Sequence, residues 1–155
     1  MSERANDLAN QFEQASSDFL ASVTALPESK WNESLSTDPR TAGVIAHHVA
    51  SGYEGTTGAL QGLLAGIDLG LTWDVIHGGN AAHALEHHGV GRDETVSLLK
   101  ANAARTESFI RALSDDQLDQ MVDFSLFSED PIPAQTVIEG LIIGHIRMHS
   151  ADFGD

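Results

Sequence analysis

The chain has 155 residues and carries 8 Lys and Arg against 23 Asp and Glu, a formal net charge of −15 with histidine neutral. That length is one domain's worth, 1–155, and supplies a single core without staples, while the lack of cysteine excludes a disulfide framework, a thiolate metal site or a cysteine nucleophile. So few cations beside so much negative charge exclude nucleic acid and an anionic membrane as partners, because both attract proteins through Lys and Arg.

Leu8, Phe12, Ala15, Phe19, Val23 and Leu26 recur at three and four residues, which predicts a first helix over about 3–25, stopped by Pro27. Nothing apolar follows a basic start at the N-terminus, so a cytoplasmic location is expected. Lys30 to Arg40 reads as a loop anchored by Trp31. A second helix begins near Thr41 and carries Val44, Ile45, His48, Val49, Tyr53, Leu60, Leu63 and Leu64 together with five glycines from Gly52 to Gly66. Each interior Gly costs a helix about 1 kcal/mol relative to Ala, so that density implies close packing or space for a ligand. Residues 67–91 form a long connection in which Asn80 can cap a short helix, Ala81 to His88. A third long helix follows over about 93–113. Asp115 to Phe127 is mixed, with an irregular or extended piece from Val122, and Pro131 and Pro133 break the pattern. From Ala134 the positions Val137, Ile138, Leu141, Ile142, His145, Ile146 and His149 are helical again to about Phe153. No stretch reaches the roughly 20 apolar residues that span a bilayer. Four long helices without a convincing strand imply an all-α bundle.

Eight histidines carry the chemistry. His145 and His149, four apart, lie on one helical face beside Ile138, Leu141 and Ile142, so both rings aim into the bundle. Two neighbouring imidazoles buried without partners are costly, and a metal ion satisfies both. On the second helix His48 shares its side with Val44, Ile45 and Gly52, while His47 shares its side with Gly43, Ser51 and Glu54; His48 is therefore placed inside and His47 on the wetter rim. His83 and His87 are also four apart, with His77 and His88 nearby, but histidines in the last turn of a helix are explained by its C-terminal dipole. Glu54 and Asp152 are the carboxylates spaced to orient a ligating imidazole. Trp31, Trp73 and Tyr53 read as packing groups.

Pro39-Arg40 ahead of Val44-Ile45-Ala46-His47-His48-Val49-Ala50, the later Leu113-Ser114-Asp115-Asp116-Gln117-Leu118, and Glu139 to His149 with its final H-x-x-x-H together resemble the DinB-like superfamily, four-helix bundles that include bacillithiol and mycothiol S-transferases and mycothiol-dependent maleylpyruvate isomerase. The resemblance covers about residues 8–153. It implies an up-down-down-up bundle with a long connection between helices two and three, a divalent metal held by His48, His145 and His149, with His47 the alternative first ligand, and a homodimer. Three imidazoles leave one coordination position for water or substrate and suit zinc or nickel, with iron or manganese as further options. The resemblance also implies a metal-dependent thiol S-transferase or related hydrolase acting on a small molecule with a low-molecular-weight thiol as cosubstrate; the alternative is a non-catalytic metal-binding or small-ligand-binding stress-response protein. Acid is expected to remove the metal over the range in which histidine ordinarily titrates.

Overall fold

A computed structural model describes residues 2–153; Met1, Gly154 and Asp155 of the expected 1–155 domain lie outside the described residues. The first helix, α1, is Glu3–Ala25, and the Ser2 hydroxyl caps it by accepting from the Ala5 N–H. The second, α2, is Ala42–Leu64, with Thr41 accepting from Val44 N–H. Then come α3 (Trp73–Glu86), α4 (Arg92–Arg111) and α5 (Asp115–Asp119), the last closed by a reciprocal Ser114/Gln117 capping box. Strands β1 (Met121–Val122) and β2 (Ile132–Pro133) pair antiparallel, with Val122 opposite Ile132. The final helical stretch is α6 (Ala134–Val137), a π-helical turn over Ile138–Ile143, α7 (Gly144–Ser150) and a 3₁₀ turn, Ala151–Phe153.

The protein is an all-α bundle. Helix α4 packs against both α1 and α2, and the final stretch from α6 to α7 packs against the same two helices. The stripe read from the sequence is the stripe that is buried: Leu8, Phe12, Phe19 and Val23 of α1 meet Tyr53 and Leu60 of α2, Leu99 and Ile110 of α4, and Ile138, Ile142 and Ile146 of the final stretch. Phe12 meets Tyr53 edge to face at 5.4 Å. Trp31 is the loop anchor expected of it: 3% exposed, it donates from Nε1 to the Val90 carbonyl. Its ring lies where a Cβ on Gly43 would come within 2.7 Å, so only glycine lets α2 start this close to the loop. No helix among the described residues is long and apolar enough to cross a membrane.

The connection between α2 and α4 departs from expectation. Its helix begins at Trp73, capped by the Thr72 hydroxyl on Val75 N–H, and ends at Glu86, rather than running from Ala81 to His88 with Asn80 as its cap. None of its residues is buried, and Trp73, Val75 and Leu85 are exposed, so there is no periodic apolar stripe from which to read it.

One tertiary tie has an expected cost. The Arg92 Nη2 donates to the carbonyls of Val23, Thr24 and Leu26, where α1 ends, and its guanidinium lies 5.7 Å from the Trp31 ring. A cation there satisfies carbonyls that have no helical partner. Arg92→Ala should lower unfolding free energy by about 2 kcal/mol, read from the urea midpoint; an unchanged midpoint would show that water replaces the arginine without loss.

Candidate metal centre

Helix α2 and the final stretch bring His48, His145 and His149 together. Their ligating nitrogens all lie within 4.8 Å of one another, and the Nε2 atoms of His145 and His48 are 2.9 Å apart. A tetrahedral ion with metal–nitrogen bonds of about 2.0–2.1 Å separates its ligand nitrogens by about 3.3 Å, so the observed spacing suits a shared ion. The rings stand nearly perpendicular in pairs, at 73°, 85° and 86°, which turns their edges toward a common point. His149 is buried, whereas His48 and His145 keep partial contact with solvent. The approach of α2 depends on Gly52, where a Cβ would come 2.8 Å from His145 Cε1. One of the sequence's unexplained glycines is thus the space in which a ligand-bearing ring sits.

Charge is suppressed at these rings. Burial, reinforced by His145, His149 and Arg40, pushes the His48 pKa down to about 3; burial, His149 and Arg40 push His145 down to about 4. Both are neutral at pH 7, with lone pairs free for a metal.

The surroundings orient the triad. His149 Nδ1 donates to Asp152 Oδ2 at 2.8 Å, and the other oxygen of Asp152 accepts from Thr37 Oγ1 at 2.7 Å. This fixes which His149 nitrogen faces the other rings, the arrangement in which a carboxylate raises the basicity of a metal-bound imidazole. Of the two carboxylates singled out from spacing, Asp152 makes this contact; Glu54 is exposed and lines a cleft between α2 and α4. Asp152→Asn should weaken metal binding about 10- to 100-fold while leaving all three histidines in place, measured by chelator competition. Undiminished affinity would mean that the carboxylate only ties the loop to the last turn.

Arg40 is a site residue that the sequence reading left without a role. Asp38 accepts from its backbone N–H, Nε and Nη2, holding the guanidinium near His48 and His145, while Nη1 is buried without a partner. The Arg40 guanidinium in turn holds the Asp38 carboxyl below its ordinary range. Only the Pro39-Arg40 position ahead of the helix hinted at it.

His47 is not on the rim. It is 6% exposed, more buried than His48, because α3 lies over this side of α2. Its Nδ1 is 2.9 Å from His83 Nε2, and its ring stacks on His87 with centroids 4.0 Å apart. His83 and His87 are thus neither free in solvent nor simply terminal helix residues. His88 does face its own last turn, through Leu85 O at 2.9 Å, and His77 lies beside Trp73.

The sequence matches the DinB superfamily over residues 11–152. No curated protein matches it. Among solved structures, the mycothiol-dependent maleylpyruvate isomerase superposes with a TM-score of 0.76 at 13% identity, covering 97% of this chain and 60% of that one. An uncharacterized protein from Clostridium difficile 630 superposes with a TM-score of 0.75 at 13% identity, covering 99% of this chain and 95% of that one. The chain therefore spans three fifths of the isomerase's length, and the likeness is one of fold.

Proposed function

From the premise that the chain belongs to the DinB superfamily, we propose that it is a cytoplasmic, single-domain, metal-dependent enzyme of small molecules, a thiol S-transferase or related hydrolase, with His48, His145 and His149 as ligands of zinc or nickel, or else of iron or manganese. The observation that carries this reading is the convergence of three imidazoles from two helices on one point, two of them held neutral by their surroundings. When bound, a divalent ion lowers the pKa of a coordinated water or thiol toward neutrality. A chain without cysteine needs such an external sulfur if it is to do thiol chemistry. The solved isomerase with the same fold is mycothiol-dependent, which supports a thiol cosubstrate here.

The chain's own residues have definite parts in this reading. His48 and His145 present lone pairs at neutral pH, and Asp152 holds the His149 ring in one tautomer and orientation. Arg40, kept in place by Asp38, offers its unpartnered Nη1 to an anionic group of the thiol or electrophile. A homodimer belongs to the same reading, supported by the exposed Trp73, Val75 and Leu85 of α3.

The test uses a haloalkyl bimane, with which the protein alone should be inert. Glutathione, bacillithiol, mycothiol and coenzyme A are each added to metal-loaded protein, and conjugation should accelerate with at least one of them in a manner lost on chelation and in His145→Ala. A filled site that accelerates none would favour the second reading, a non-catalytic metal-binding or small-ligand-binding protein. That alternative has an observation on its side: the clefts at Glu13, Ser16 and Leu20 and at Glu54, Thr57 and Arg105 are not lined by histidine.

A further inference from the structure

We infer that His47, His83 and His87 form a second divalent-metal site, separate in its ligands from the first, which clips α3 onto α2. Neighbouring residues of an α-helix point about 100° apart. His47 and His48 can therefore serve two different clusters, and they do: His48 turns toward α7, His47 toward α3. The ligating nitrogens of His47, His83 and His87 all lie within 4.8 Å of one another.

One feature in particular asks for a ligand here. His47 Nδ1 and His83 Nε2 face each other at 2.9 Å, near the spacing of two nitrogens on one ion. Among the described residues the carboxylate paired with this cluster is Glu86, whose Oε2 is 3.9 Å from His87 Nε2 and largely exposed. Burial, reinforced by His87, His47 and Arg40, also pushes His83 down to about 4.

The attachment of α3 makes the same point. None of its residues is buried, and it presents Trp73, Val75 and Leu85 to solvent, so apolar burial does not hold it in place. What it sets against α2 is the histidine pair, His83 stacked 5.1 Å and His87 4.0 Å from His47. The two clusters adjoin, with the His83 and His48 rings 5.5 Å apart. Metal at the second site would therefore lock the helix that lies beside the first. This inference shares no ligand with the proposed enzyme site and stands whether or not a thiol is the cosubstrate.

The experiment is zinc binding by equilibrium dialysis on tag-free, chelator-stripped full-length protein, together with limited proteolysis of the 65–91 segment. The wild type should take up two zinc ions per chain. His83→Gln, which keeps a hydrogen-bonding side chain but no imidazole, should take up one, and so should His87→Ala, while His145→Ala should also take up one by losing the other site. Zinc should slow cleavage within 65–91 in the wild type and in His145→Ala but not in His83→Gln. A His83→Gln protein that binds as many zinc ions as the wild type, or a His145→Ala protein that binds none, would overturn the second site. Loss of the first ion in His145→Ala is a separate result and bears on the enzyme reading alone.

Discussion

Replacing His145 with alanine is expected to weaken metal binding at the His48 centre by at least about a hundredfold, since removing even an outer partner of a ligand costs about 10- to 100-fold and this change removes a ligand. His145 Nε2 lies 2.9 Å from His48 Nε2, close to the spacing of two ligands on one ion. His149→Ala should behave alike, and His48→Ala should be more damaging to this centre than His47→Ala, whose ring belongs to the His83 cluster. Competition against a chromophoric chelator reads the affinity, and circular dichroism confirms that the bundle persists. If His47→Ala emptied the centre and His48→Ala left it filled, the assignment of the two adjacent histidines would be reversed.

The second large effect is of acid. In the folded protein His48 is pushed down to about 3 and His145 and His83 to about 4, against about 6.5 in an unfolded chain. The unfolded state therefore takes up protons first as pH falls. The stability these groups contribute is fully present above about pH 6.5 and is lost progressively toward pH 4 and below. Metal-free protein should lose several kcal/mol over that interval, seen as a falling urea midpoint, and His48→Ala should flatten the slope. A midpoint independent of pH between about 6.5 and 4 would contradict the neutral burial of these rings. The same depression changes the expectation for the metal. Protons compete with it at the folded-state pKa, so the depression of His48 and His145 moves the loss of metal to lower pH than ordinary imidazoles would give. Retention somewhat below the ordinary histidine range is thus consistent with imidazole ligands and does not require carboxylates.

What could be read from the sequence follows from what each pattern reports. The stripes of α1 and α4 and the helix start near Thr41 are local signals, and they place those boundaries within a residue or two. The H-x-x-x-H of the last helix and the single histidine opposite it were legible because spacing fixes a face. The burial of His47 was not, because it is caused by a helix 36 residues away in sequence, as its contact with His83 records. Helix α3 itself was misplaced for a related reason: with no buried residue and with Gly78-Gly79 inside it, it offers neither a stripe nor strong propensity, so Asn80 looked like its start rather than Thr72. In the final stretch the apolar positions were read as one uniform helix, yet Ile143 is buried and Leu141 only partly so.

That last difference comes from the π-helical turn at Ile138–Ile143, and it bears on what lengths of chain this protein can tolerate. A π turn holds one residue more than the α turn it replaces, and one residue is about 100° of rotation. Upstream, Ala134, Val137 and Ile138 are fixed in the core; downstream, His145 and His149 keep their mutual spacing within α7. The turn between them therefore acts as a phase offset. Shortening it by a single residue would restore a regular helix and, because an α turn covers the same rotation with one residue fewer, leave both rings facing His48. Winding the same residues as a regular α-helix would instead swing them about 100° away. A one-residue deletion here should therefore leave the three histidines together, whereas the same deletion between His145 and His149 would turn one ring about 100° out of the site.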